Sequence, residues 1–425
     1  MLSNGGLPTR DRGGLFPKDT TERKPLMPPL PAESPSGSGP EPEDVATRIR
    51  DAAIALGFAR VGFVPVERFD EADLRLQTWL DAGRHGHMAY LANGDDRAEP
   101  RALLDNARTV ISVALPYRGA SSVALRRDRD ATTPLVGSVA AYAVGTDYHR
   151  VLKDKLWALG RACKAILGRP VAARACVDTA PMLEREAARR GGVGFIGKST
   201  MAIVPGVGTY VLLGELLVDA EITPDHVEVR AGCGRCTACL DACPSGAFVG
   251  PYVLDARRCV SYLTIETRGA IPAELRRAVG ARVFGCDVCQ DVCPFNASES
   301  PRPAAPELAA HPALDQPSLV GLLELTSTGY RKLVRRTALR RVGRPQLQRN
   351  AAVALGNSGN PDAVAPLVRA LENDKSPLVR GHAAWALGEL GGETALRALD
   401  HALATDADES VRNEARAALE KPRAS

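Results

Sequence analysis

From Asp44 onward apolar residues recur every three or four positions. Val45, Ile49, Ala52 and Leu56 share one helical face, and Gly57 can cap the end. The pattern then becomes strand-like over residues 60–66, and the apolar run 110–115 reads as a buried strand. Residues 148–167 return to the helical period, with Leu152, Leu156, Leu159, Cys163 and Ile166 on one stripe. Strand-like runs recur at 171–177 and 209–218. Alternating strands and helices predict one α/β or α+β domain over residues 44–228.

The rest of the chain divides by composition. Residues 1–43 hold nine prolines with many Gly, Ser and charged residues and no apolar period, so they read as a disordered N-terminal extension. Residues 229–300 are cysteine-rich. Residues 301–345 are Pro-rich and then strongly basic, a linker with helices. From residue 346 to 425 the chain repeats itself. Arg349-Asn350-Ala351-Ala352, Arg380-Gly381-His382-Ala383-Ala384 and Arg412-Asn413-Glu414-Ala415 recur at spacings of 31 and 32, and Ala354-Leu355-Gly356 is echoed by Ala386-Leu387-Gly388. Paired helices at this period stack as a short solenoid that leans on the preceding domain. The expected whole is an α+β multidomain chain.

Charge and composition narrow the function. The chain has 425 residues, 45% of them hydrophobic, which is enough for a substantial core. A net charge of +4 is too small for general nucleic-acid affinity, so any such contact must be a local patch. The apolar stretch 210–218 is broken by Glu215, and the N-terminus lacks a signal-peptide core, so neither a membrane span nor export is expected. In a cytoplasmic protein ten cysteines point to metal rather than disulfides.

The cysteine spacing says which metal. Cys233-x2-Cys236-x2-Cys239-x3-Cys243-Pro244 is the bacterial ferredoxin run, in which the fourth cysteine serves the other cluster. Fifty residues on, Cys286-x2-Cys289-x3-Cys293-Pro294 repeats its second part, with Val283 where a first cysteine would stand. Cys259 is the spare cysteine nearby. Two [4Fe–4S] clusters follow: Cys233, Cys236, Cys239 and Cys293 hold one, and Cys243, Cys259, Cys286 and Cys289 the other. Zinc, which favours four thiolates in two close pairs, fits this spacing poorly. Cys163 and Cys176 read as buried apolar thiols. Clusters in series pass single electrons, so a redox centre is expected within 44–228.

Two further motifs need weighing. Gly192-x4-Gly197-Lys198-Ser199 matches a phosphate-binding loop, but a charged helix precedes it and an apolar strand follows, the reverse of what that loop requires. Its glycines are read instead as letting the backbone approach a large ligand. Asp178 closes the run 171–177. On residues alone it reads as the N-cap of a helix over 182–190; the alternative is a proton donor with a raised pKa. His149 is read as structural.

Arg331, Lys332, Arg335, Arg336, Arg340, Arg341, Arg344 and Arg349 crowd nineteen residues that contain no acid. On a helix they make a basic stripe suited to phosphates.

Taken together these pieces resemble the epoxyqueuosine reductase family. The resemblance rests on Asp147-Tyr148-His149, Val177-Asp178-Thr179-Ala180-Pro181, Glu184-Arg185-Glu186, residues 192–200, the two cysteine blocks and Gln348-Arg349-Asn350-Ala351. It implies an N-terminal α/β cobalamin-binding domain, a ferredoxin-like module and C-terminal HEAT-like repeats. It implies reduction of epoxyqueuosine to queuosine in tRNA, with cobalamin (vitamin B12) beside the clusters and Asp178 as the acid. It also implies cofactor contacts at Arg97, Asp178, Lys198, Ala202, Leu213, Ser261 and Gly285. Arg335, Arg336, Arg340, Arg341, Arg344 and Arg349 would grip the tRNA anticodon stem-loop. The expected chain is a monomer fed by an electron donor that the sequence does not name. A reductive-dehalogenase-like reductase is the alternative, against which stand the repeats and the lack of an export signal. The chain departs from the family at Ser199 and over residues 140–144, which bears on pocket contacts.

Overall fold

The computed structural model describes residues 42–117, 135–223, 229, 232–297 and 304–421. Apart from its last two residues, the predicted N-terminal extension lies outside them.

The first domain is built on a four-stranded sheet. Strands β1 (Arg60–Pro65) and β2 (Thr109–Pro116) pair with each other. A short β3 (Ser138–Val139) lies elsewhere, and β4 (Ala173–Cys176) forms the far edge. Beyond a small hairpin of β5 (Phe195–Ile196) and β6 (Ala202–Ile203), β7 (Val211–Val218) completes the order β1-β2-β7-β4. Every pairing in this sheet is antiparallel. Of the two readings, α/β and α+β, the domain is therefore α+β.

The strands alternate sides as a pleat requires. Ile111, Val113, Leu115, Leu216 and Val218 face the helices Pro42–Ala55 and Tyr148–Leu167 and share a core with Ile49, Leu152, Leu156 and Leu159. The second helix keeps its predicted bounds and stripe; Asp147 caps its start and Gly168 ends it in a left-handed turn. On the opposite face Val110, Cys176 and Leu217 pack on Phe69, Met182 and Ala187, the last from the helix Glu184–Arg190. This helix packs on β7, β2 and β1, and Glu184 in its first turn meets Asp178.

The cysteine module holds the hairpin β8 (Phe248–Gly250) and β9 (Val253–Leu254), the helices Val260–Ile265 and Ala273–Val279, and β10 (Arg282–Phe284). β10 pairs in parallel with β3 and so ties this module to the first domain.

Helices Arg344–Asn357, Val364–Asn373, Pro377–Leu390, Glu393–Thr405 and Glu409–Leu419 form the repeats. The repeated glycines explain themselves. A Cβ on Gly356 would lie 2.8 Å from that of Ala386, and one on Gly388 would lie 2.6 Å from that of Ala418. Only glycine lets these helices approach so closely.

The repeats do not hang free. Val139, Ile265, Val283 and Phe284 belong to the same apolar core as Leu347, Leu355 and Leu387. Polar groups lock the seam. Arg349 is fully buried and donates to the carbonyls of Leu263 (2.9 Å), Thr267 (2.8 Å) and Gly269 (2.6 Å). Asn350 donates to those of Thr264 and Val283, each at 2.8 Å. Arg276 pairs with both carboxylate oxygens of Glu414. Burial keeps His382 neutral; its Nδ1 donates to the Leu378 carbonyl, so Nε2 accepts the Ile271 amide at 3.1 Å.

The expected RNA contact at Arg349 is thereby corrected: a guanidinium enclosed by carbonyls cannot reach a phosphate. The basic run is also not one helical stripe. It spans the end of helix Ser327–Val334, a 3-10 turn at Ala338–Arg341 and the start of helix Arg344–Asn357.

Candidate functional site

Asp178 follows β4 in a left-handed conformation, φ +45°. That is an uncommon setting for a non-glycine residue, and it must be held in place by its neighbours. The holding bonds are visible. Oδ2 accepts from the Tyr148 hydroxyl at 2.6 Å and lies 3.1 Å from His149 Nε2. The Asp178 amide donates to Oε1 of Glu184. His149 is oriented in turn by Asp147, whose Oδ1 sits 2.7 Å from Nδ1 and also caps the helix. The side chain of Asp178 remains 58% exposed, so its free side is open to a ligand.

Two sequence expectations change here. Asp178 is not a helix N-cap: the cap position is Leu183, and no side chain caps it. Nor is its pKa raised. Burial pushes the carboxyl up, but hydrogen bonds from His149 and Tyr148 outweigh this and hold it below the usual range. The proton is found on His149 instead. Burial presses that imidazole down, yet its bonds to Asp147 and Asp178 win and lift it to about 9. Asp147-Tyr148-His149 at a helix start was the signal; its spatial partner lies thirty residues away and is not legible from spacing.

Facing this carboxylate is a second polar group. Arg341 forms a two-pronged ion pair with Glu266 at 3.0 and 3.1 Å and places its guanidinium 5.3 Å from the Tyr90 ring centre. Arg97 donates to the Tyr90 carbonyl at 3.0 Å, while its buried Nε has no hydrogen-bond partner among the described residues. Burial and then the charge of Glu266 raise the Tyr90 hydroxyl, and Asp178 adds to this, so these groups share one site. Tyr142 packs edge-on against Tyr148 and tilts onto Phe284.

The remaining predicted contacts lie on other elements. Gly285 (φ +71°) bonds to Thr264 and presses on residues 140–142; a Cβ there would lie 2.5 Å from that of Ala140. Ser261 lies on the helix that also carries Thr264. Ala202 is buried on β6, and Leu213 is half-buried on β7. Lys198 turns the other way. Its Nζ donates to the carbonyls of Gly234 (2.7 Å) and Cys236 (3.0 Å), so it braces the first cysteine loop. The glycine-rich turn has the predicted context, helix before and strand after, and Gly197 abuts Cys233.

The thiols fall into groups. Burial raises Cys239 and Cys293, and the thiols of Cys233 and Cys236 add to both. Burial likewise raises Cys259, with Cys243 adding, and lifts Cys286 to about 11, with Cys259 adding. Cys289 is raised by burial and then by Cys286 and Cys259, with a weaker push from Cys239 across the gap. Thiols that repel one another's charge this way make a ready site for positive metal. No three His, Cys, Asp or Glu among the described residues close on a single ion. Thiolates around one zinc would lie about 3.8 Å apart, given a Zn–S bond of about 2.3 Å.

Of the six predicted RNA contacts, Arg335, Arg336 and Arg340 are exposed, beside exposed Arg331 and Lys332. Arg341 turns inward to Glu266, and Arg344 donates to the Leu325 carbonyl. The Arg336 carbonyl accepts the Asp147 amide at 2.7 Å, which ties the exposed basic turn to the acid site.

Comparison with known proteins matches these regions one by one. Residues 97–179 match the family model described as epoxyqueuosine reductase QueG, DUF1730; residues 232–296 match a 4Fe-4S double cluster binding domain; residues 334–420 match HEAT repeats. The chain is 42% identical over 344 residues to an epoxyqueuosine reductase of Pseudomonas aeruginosa, covering 81% of this chain and 94% of that one. The chain belongs to the epoxyqueuosine reductase family. The family's enzyme in Escherichia coli K12 is 40% identical over 75% of this chain and 83% of its own. Solved structures of the family agree. An epoxyqueuosine reductase crystallised with an epoxyqueuosine-modified tRNA-Tyr stem loop superimposes with TM-score 0.80 at 32% identity, over 89% of this chain and 99% of that one. The Bacillus subtilis reductase, TM-score 0.79 at 31% identity over the same shares, was captured with its catalytic aspartate loop swung out of the active site. No helix among the described residues is long and apolar enough to cross a membrane.

Proposed function

We propose that this protein reduces epoxyqueuosine to queuosine at the wobble position of tRNA, using cobalamin and two [4Fe–4S] clusters. The observation that carries the reading is a carboxylate–imidazolium pair, Asp178 and His149, in a chain of this family that also carries a 4Fe-4S double cluster binding domain. The reaction takes two electrons and two protons and releases the epoxide oxygen as water. Cys233, Cys236, Cys239 and Cys293 would hold one cluster and Cys243, Cys259, Cys286 and Cys289 the other, and such clusters would supply the electrons one at a time.

Cobalamin, when bound, supplies the two-electron chemistry at the substrate carbon. The residues present fit it. Arg97 offers a buried Nε donor with no internal partner, suited to an amide or carboxylate at a corrin edge. Leu213, Ala202, Ser261 and Gly285 would add small or apolar surface to it, and Gly285 adds no side chain. Lys198 acts one step back by bracing the loop of Cys236. The dimensions of the two domains follow from this division: residues 44–228 for the cofactor and 229–300 for the clusters.

Asp178 faces the substrate and His149 stores the proton. As negative charge grows on the epoxide oxygen, a proton moves from Nε2 through Oδ2 to that oxygen. Tyr148 keeps the carboxylate aimed. Exposed Arg335, Arg336 and Arg340 hold phosphates of the anticodon stem-loop, and the bond from Asp147 to the Arg336 carbonyl sets the distance between phosphate and acid. A base in a loop is cheaper to turn out than one in a duplex. The dehalogenase-like alternative is set aside, because the relatives reported above act under the other name.

The test is turnover of an epoxyqueuosine-containing anticodon stem-loop by protein made without oxygen and supplied with cobalamin. Formation of queuosine supports the reading. A deletion strain whose tRNA still contains normal queuosine overturns it.

A further inference from the structure

Behind Asp178 lies a row of carboxyls that the proposed reaction does not use. Glu184 opens the helix Glu184–Arg190 and takes the Asp178 amide on Oε1. Behind it, on the same face of the sheet, stands Glu215 of β7. Glu215 is fully buried between Ser112 and Cys176, its register partners on β2 and β4. Ser112 donates to its Oε1 at 3.3 Å, while Oε2 has no hydrogen-bond partner among the described residues.

We propose that Glu184 is the positioning residue for Asp178: by holding its amide, Glu184 fixes the left-handed turn that aims the acid into the site. The geometry explains why a side chain is needed. Asp178 stands two residues beyond the end of β4, and at φ +45° its amide has no strand partner. The unfavourable backbone opposes this setting, and an amide left without a partner adds to the cost. Tyr148 and His149 grip only the carboxylate tip, and a tip can follow a loop that moves. The swung-out loop of the Bacillus subtilis relative shows that such a loop has a second position in that protein. The far end of the turn is anchored too: the Leu183 amide donates to the Arg97 carbonyl at 3.1 Å. Within the turn the Thr179 and Ala180 amides and the Thr179 hydroxyl donate back to the Val177 carbonyl, and Glu184 ties that turn to the point fixed at 183.

Ionisation within the row favours this role. Burial, then the charge of Asp178, lifts Glu184 to about 8, and burial with Glu184 raises Glu215 further. Adjacent carboxyls in low dielectric do not ionise together. The front member carries the charge, and Glu184 accepts the amide as a neutral acid without repelling Asp178.

The role rests on reading Asp178 as the acid, so the first measurement is made without cofactor or substrate. Hydrogen exchange at the Asp178 amide is compared in wild type, Glu184→Ala, Glu184→Gln and Glu184→Asp. Alanine and the shorter aspartate should speed exchange there by about tenfold or more and leave amides of β2 and β7 unchanged. Glutamine, an isostere of the neutral acid, should stay near wild type. In turnover, Glu184→Ala should lower kcat about ten- to a hundredfold with KM for the stem-loop unchanged, and glutamine should restore most of it. Unchanged exchange at Asp178 in the Glu184→Asp protein, which keeps a carboxyl and serves if alanine does not fold, overturns the proposal whatever the activity. Altered exchange with no epoxyqueuosine turnover in wild type would instead sink only the reaction assigned above.

Discussion

His149 Nε2 lies 3.1 Å from Asp178 Oδ2, and the proton between them belongs to the imidazole. A carboxylate kept ionised by its donor is a poor acid alone and a good conduit. The pair therefore works as one unit, and its parts should fail in different ways.

Replacing Asp178 by Asn removes the conduit but keeps the shape. Single-turnover reduction should fall about a hundredfold or more, while stem-loop affinity and iron content stay as in wild type. Full activity in Asp178→Asn would remove it as the acid.

The pH dependence should follow His149. Its folded value, about 9, is above the ordinary 6.5. Its stabilising contribution is therefore complete below about 6.5 and lost as pH rises through about 9. Asp178 has the opposite sign: its pKa is lowered, so its contribution is present above the ordinary 3.8 and lost as pH falls. Turnover measured from pH 6 to 10 should decline on the alkaline limb, at about 9, and His149→Asn should abolish that limb. An identical limb in the variant would show that another group sets it.

Iron should report the two thiol sets separately. Wild type made anaerobically should hold about eight irons, and Cys286→Ala about four. Cys163→Ser, in the apolar core at 0% exposure, should leave the count unchanged. Stoichiometric zinc in place of iron would end the cluster assignment.

The basic turn should separate affinity from stability. Replacing Arg335, Arg336 and Arg340 by Gln should weaken stem-loop binding and flatten its salt dependence, each lost phosphate contact removing roughly 0.7–0.9 from the log–log slope. Arg349→Met should act differently. It strands buried carbonyls, at about 1–3 kcal/mol for each one left unsatisfied, so the melting temperature should drop. A salt slope lowered by Arg349→Met with stability intact would contradict its burial.

These contrasts follow what a sequence can and cannot express. The stripe Leu152-Leu156-Leu159 predicted its helix because the period is local, and the cysteine spacing predicted its chemistry because the Cys-x2-Cys-x2-Cys run is itself local. The acid site is assembled otherwise. Asp178 meets His149 through a left-handed turn, and neither residue announces the other. Arg349 was misread because a basic run looks solvated. Its helix, though, is buried on every side, from Gln346 to Gly356, and an arginine in such a helix has to find its partners indoors.

The clamp of Arg349 and Asn350 on residues 263–283 also bears on how the molecule bears load. The clamped turns run between Cys259 and Cys286, so the repeats stand on an anvil and not on a hinged arm. Any recoil would have to bend the very segment that spaces one set of thiols. Repeats grafted from a foreign scaffold would leave that segment slack unless the Arg-Asn pair travelled with them.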